Sequence, residues 1–290
     1  MDRNKIFVGA IDMHLHFAPD TIPRKVDALE LARRAKNAGM RAILLKCHAS
    51  PTAALATLVE KAVPGIRVFG GLVLNESVGG INPEAVKAAI ALGAKAIWMP
   101  TVSARNHLKH MKTTSAPAFL RTLGAVSGEG ISILGESGEV LPEVREIIAL
   151  VKKADLILAT GHLSSAEITA LAKEVKEAGL RKFVVTHPES AISWMSDEEQ
   201  RALLPYGAWF ERCYFATTKL GQSLDPAVIA ETIKEVGAET TVLSSDLGQV
   251  DNPDPLEGFR DYLESLLTCG ISQEAIHIMI HENPSRLLGI

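Results

Sequence analysis

Nine histidines occur in this 290-residue chain, and the informative ones fall where short apolar runs end. The first run closes with Asp12-Met13-His14-Leu15-His16. Side chains alternate along a strand, so positions 12, 14 and 16 are expected on one side with two imidazoles stacked. Two neutral rings so placed can share a cation such as zinc, and Asp12, one pleat below, could orient a ligand. Alone the motif is weak, because two satisfied polar residues at a strand end would read the same way. It does not stand alone. His48 follows the second run, His162 the fifth and His187 the sixth, and the eighth ends in Ser244-Ser245-Asp246. His14, His16, His162, His187 and Asp246 left unpaired at the edge of an apolar core would be costly, and a shared metal removes that cost.

The elements that must position these residues repeat along the chain. Apolar runs rich in β-branched residues cover positions 6–13, 41–47, 66–74, 94–99, 156–160, 182–186, 208–214 and 241–245, each followed by helical periodicity. Asn82 before Pro83, Ser164 with Glu167, and Asp225 before Pro226 read as helix starts. Eight βα units at this length predict an α/β fold of the (β/α)8 TIM-barrel type, a single domain over 1–290, with all the strand ends on the catalytic face. A ninth apolar run at 131–134, followed by Gly135-Glu136-Ser137-Gly138 and Val140, reads as a small hairpin. It lies in a long insertion between the fourth and fifth strands, 102–154, a candidate lid.

Composition narrows the function. Thirty basic and 34 acidic side chains leave a formal charge of −4 without a basic block, so neither nucleic acid nor an anionic membrane surface is an expected partner. No apolar run reaches the roughly 18 to 20 residues of a spanning helix, and the opening residues lack the pattern of a signal peptide. Three scattered cysteines give no disulfide framework. A cytoplasmic protein is expected.

DMHLH, His162, His187, Asp246 and the closing Asn283-Pro284-Ser285-Arg286-Leu287-Leu288-Gly289 together resemble the amidohydrolase superfamily over nearly the whole chain. Within it the sequence is similar to an uncharacterised microbial group. The resemblance implies one or two divalent metal ions, zinc foremost, held by His14, His16, His162 and His187, with Asp246 touching the metal and moving protons. It also implies a small-molecule substrate with an amide, lactone, ester or phosphoester bond, and admits a homodimer. The chemistry is independently reasonable, because a divalent cation brings the pKa of its water down toward ~7 and polarises the oxygen under attack.

Binuclear members commonly carry a carboxylated lysine or a glutamate at the end of the fourth strand. Here that strand ends Met99-Pro100-Thr101. Lys46 with His48, or instead Cys47, could supply a replacement from the second strand, since alternation sends Cys47 to the opposite face from the other two, and a single-metal site would need neither. Glu211 is either a site residue or a member of a salt bridge with Arg212 or with a neighbouring strand. Arg105, His107, Lys109 and His110 in the long connection could bind an anionic substrate or simply be solvated. His277 and His281 lack the glutamate of a zinc helix and read as helix-face residues. Three rival functions share these features: a histidine-rich phosphoesterase, which should carry a late Asp-x-His where this chain has Asp246-Leu247-Gly248; a decarboxylase on the same fold; and a metal-binding barrel without catalysis.

Overall fold

The computed structural model describes residues 6–113 and 128–290. Eight strands, β1 (Ile11–Leu15), β2 (Ala42–Leu45), β3 (Arg67–Val73), β4 (Ala96–Trp98), β5 (Ile157–Ala159), β6 (Phe183–Thr186), β7 (Ala208–Cys213) and β8 (Thr241–Ser244), pair in chain order. Every pairing is parallel. The ends meet just beyond β1 and β8, where His16 N donates to Leu247 O at 2.8 Å and Asp246 N to His14 O at 2.9 Å. The result is the (β/α)8 barrel that the repeated units predicted.

Helices cover the outside, and their starts are those legible in the sequence. Asn82 caps Pro83–Ala91, Asp225 caps Pro226–Val236, and Ser164 and Glu167 form a reciprocal capping box for Ser165–Ala178. Inside, Ile11, Phe69, Trp98, Val184 and Val242 fill the barrel, while two larger apolar clusters lie between sheet and helices. The strands are buried on both faces, which is why their sequences read as continuous apolar runs.

Most strands are one to three residues shorter than their apolar runs, and two departures are larger. The first run was expected to be strand from position 6, but Gly9 turns with φ +82°, and the strand begins only at Ile11. Phe7, ahead of that turn, stacks instead on Phe259 at 5.6 Å. The expected hairpin near 131–140 is reduced to single bridges, Ala104 with Ile131 and Leu134 with Val140. In the 102–154 connection lie the helices Arg105–Thr113 and Pro142–Lys153, the second being the outer helix ahead of β5. The middle of the candidate lid, 114–127, lies outside the described residues. Among the described residues no helix is long and apolar enough to cross a membrane.

β7 carries two adjacent charges to opposite faces. Arg212, fully buried, donates from Nη1 to Glu189 and, at 3.0 Å, to Gln200 Oε1. It thereby ties β7 to the segment after His187. The Glu211–Arg212 salt bridge considered from sequence does not form, because strand alternation points the neighbours apart. Truncating one member of a buried ion pair strands the other charge. Arg212→Met is therefore expected to lower unfolding free energy by about 3–5 kcal/mol, with Arg212→Met/Glu189→Leu recovering much of the loss; urea denaturation followed by circular dichroism measures both.

Candidate functional site

At the C-terminal ends of the strands the imidazoles form a continuous set. His14 and His16 rings are 5.5 Å apart, His16 and His48 4.8 Å, His48 and His162 6.1 Å, His162 and His187 5.1 Å, and His187 and His14 6.2 Å. Asp246 lies beside them, its Oδ1 3.1 Å from Nε2 of both His14 and His16. The structure thus brings together all five residues that the sequence singled out. Asp246 and His187 adopt positive φ, 52° and 34°, a region that non-glycine residues occupy only when the surroundings hold them there. Gly248 permits the close approach of the last loop to β1: a β-carbon there would sit 2.1 Å from His16 O.

His14 is the most constrained ring. Its Nδ1–H donates to Glu211 Oε2 at 3.0 Å, and the other carboxylate oxygen accepts from Ser244 Oγ at 3.0 Å. A carboxylate on the far nitrogen fixes the tautomer in which Nε2 faces the site. At Nε2 two neighbours make opposite demands. Lys46 Nζ, 2.9 Å away, needs a lone pair there, whereas Asp246 Oδ1 at 3.1 Å needs a proton. Burial opposes charge on His14, but Asp246 and Glu211 outweigh it and push the pKa up to about 9. A divalent cation would settle this conflict, accepting the Nε2 lone pair and Asp246 together.

The remaining rings are neutral, the form that ligates metals. Burial, followed by the Arg24 charge, takes His16 down to about 3, and burial above all takes His187 down to about 4. Burial likewise holds His48 and His162 well below the usual histidine range. His187 Nδ1 is 2.9 Å from Ser193 Oγ, whose hydroxyl donates to His187 O at 3.0 Å. Nδ1 is therefore the protonated nitrogen, and Nε2 is free to ligate. Asp246 stays ionised despite its burial, because the His14 and His16 rings hold its carboxyl well below the usual range. Neutral imidazoles converging on an ionised carboxylate fit a divalent cation.

Among the candidates from β2, Lys46 and His48 both line the pocket, and Cys47 does not. Cys47 Sγ turns to Asp20 Oδ1 at 3.4 Å. At the end of β4 Thr101 stands where a bridging residue was sought, its Oγ1 2.8 Å from His48 Nδ1. Glu211 lies off the pocket wall, where it positions His14. His107 lines the pocket and pairs Nδ1 to Nδ1 with His162 at 2.8 Å, while Arg105 does not reach the lining. His277 and His281 stack on each other at 4.2 Å on the far C-terminal helix. Asp12 does not orient a ring: β1 is irregular between Asp12 and Leu15, and the carboxylate accepts from His14 N and Ser245 N instead.

Sequence reasoning missed Cys213 and Arg24. Cys213, His14 and Asp246 offer ligand atoms within 4.8 Å of one another. Cys213 Sγ lies 3.8 Å from His14 Nδ1, the nitrogen that Glu211 already holds at 3.0 Å, whereas Asp246 Oδ1 lies 3.1 Å from Nε2. Burial also raises the Cys213 thiol pKa well above its normal value. Nε2 is therefore the better vertex for a cation. Strand alternation from Glu211 could have pointed to Cys213, whereas Arg24, in the loop after β1, leaves no periodic signal. Its Nε donates to Asp20 Oδ2 at 2.7 Å and its Nη2 to His16 Nδ1 at 3.2 Å.

The barrel has the fold of amidohydrolase-superfamily enzymes. It superposes on the organophosphorus hydrolase from Deinococcus radiodurans with a TM-score of 0.64 and 16% identity, covering 97% of this chain and 93% of that one. For the probable dipeptidase PvdM from Pseudomonas aeruginosa the TM-score is 0.67 and the identity 13%, over 99% and 96% of the chains. For the 2,6-dihydroxybenzoate decarboxylase from Rhizobium they are 0.57 and 12%, over 97% and 98%. At these identities the likeness shows the fold alone. No curated protein matches the sequence. Residues 9–211 match a family of unknown function, DUF6282, and the chain belongs to that family.

Proposed function

We propose that this chain is a metal-dependent hydrolase that uses an activated water on an amide, lactone, ester or phosphoester bond of a small molecule. One observation carries the reading: Nε2 of His14 and His16 both lie 3.1 Å from Asp246 Oδ1, among neutral buried imidazoles. His14, His16, His162, His187 and Asp246 would hold the cation, with Lys46 beside them. A zinc-type cation bound there would lower the pKa of a water and polarise the bond under attack.

The chain's own residues do the rest. Glu211, bonded to His14 Nδ1, keeps Nε2 aimed at the site, and Ser193 does the same for His187. The ionised carboxylate of Asp246 takes the proton of the attacking water and returns it to the leaving group, a role that requires a base at hydrogen-bond distance. Residues at the pocket floor are almost fully buried, which strengthens each of these interactions by excluding bulk water. An ammonium on Lys46 would repel the cation. Burial already lowers the pKa of this lysine, and its neutral amine, or a carboxylated form, suits the cluster.

Elemental analysis of protein loaded with zinc and desalted is expected to find about one to two equivalents. Once a substrate is found in a panel of esters, lactones, amides and phosphoesters, Asp246→Asn should keep most of that metal and lose about 10²–10⁴-fold in kcat. Unchanged turnover would remove the proposed base. Glu211→Gln should weaken zinc affinity about 10–100-fold, measured by competition with a chromogenic chelator.

A further inference from the structure

Above the imidazoles, two nitrogens are buried with nothing to bond. Arg24 and His107 both line the pocket, which encloses about 460 Å³ of empty space including its open mouth. Arg24 Nη1 and His107 Nε2 have no hydrogen-bond partner among the described residues. Arg24 is 8% exposed and His107 0%. An unmet buried polar group costs about 1–3 kcal/mol, and a charged one more. Two such groups in the lining of one pocket point to a ligand that meets them.

The anchoring of Arg24 shows what kind of ligand. Asp20 holds its Nε, with both side chains buried at 1% and 2%, so the guanidinium is fixed at its root. A guanidinium has no acceptor, and at the Nη2 contact His16 Nδ1 must therefore accept. The hydrogen of the neutral His16 ring then sits on Nε2, where Asp246 receives it. If His16 instead offers Nε2 to a cation, as in the function proposed above, that hydrogen moves to Nδ1 and Nη2 loses its acceptor. Both outer nitrogens of the guanidinium then lack an acceptor. The same reading settles His107. With His162 Nε2 kept bare, His162 Nδ1–H donates to His107 Nδ1, leaving the His107 hydrogen on the unpartnered Nε2.

We infer that the substrate carries an oxyanion, a carboxylate or a phosphate, seated on the Arg24 fork with His107 Nε2–H as a further donor. Arginine presents parallel N–H groups that match two oxygens of such a group, and its charge strengthens each bond. The inference rests on the metal reading for Nη2 and for the His107 tautomer, but not for Nη1.

The test is calorimetric titration of zinc-loaded protein with glutarate, inorganic phosphate and the neutral isostere glutaramide. Glutarate or phosphate is expected to bind at least ten times more tightly than glutaramide, and the tighter of the two assigns the class of anion. Arg24→Lys keeps the charge beside Asp20 but lacks the fork, and should lose at least tenfold in anion affinity. Asp20→Asn/Arg24→Gln removes both buried charges together, guards against a folding defect, and should lose as much. Zinc content is measured in every sample. Anions also bind zinc directly, so unchanged affinity in variants of equal zinc content would assign them to the cation and overturn the proposal, as would equal binding of glutaramide. If the wild type holds no zinc, the metal reading fails by itself. The same titrations on metal-free protein then decide the Arg24 site through Nη1.

Discussion

His16 N donating to Leu247 O and Asp246 N donating to His14 O join the two ends of the sheet, and side chains 230 positions apart in sequence become hydrogen-bonding neighbours. Every later feature of the rim depends on that closure. A barrel has no free sheet edge, so the first and last strands cannot drift relative to one another without breaking ladder bonds. The histidines of β1 and the aspartate after β8 are held in register by backbone, and rotamers need only fine-tune their approach. The loops can vary while this seam stays fixed, which is how one barrel serves many chemistries.

The seam gathers more polar groups than an apolar core can leave unpaired, and the protein handles them unequally. Away from the pocket, Glu189 and Arg212 neutralise each other. At the rim, the arrangement is deliberately short of satisfaction: a lysine and an aspartate compete for one imidazole nitrogen, and an arginine and a histidine each keep an unused nitrogen. Asp12, beneath the seam, is pushed up to about 7 by burial even though it accepts from two backbone N–H groups and from Ser245. Competing and unmet polar groups gathered in one pocket mark a candidate working site.

Much of this was legible beforehand. The eight βα units, the capping residues and the positions of His14, His16, His162, His187 and Asp246 follow from periodicity and from where apolar runs stop. What escaped the sequence has physical causes. Gly9 was hidden in an apolar run because hydropathy does not register a left-handed turn. Asp12 was assigned to a ring because strict alternation was assumed where the strand is irregular. The choice between Lys46 and Cys47 was open because parallel strands are apolar on both faces. Arg24 could not be found at all, since loop residues carry no period and its meaning lies in contacts with Asp20 and His16.

Gly248 also governs how such a site could diversify. With the His16 carbonyl lying where a β-carbon would stand, no residue with a side chain can replace it without prising the seam apart. The eighth loop is therefore rooted, and variation in it can begin only farther out, near the exposed Val250. Changes in what the pocket accepts would have to come from the other rim segments, with the eighth loop serving as the immobile wall against which they are remodelled.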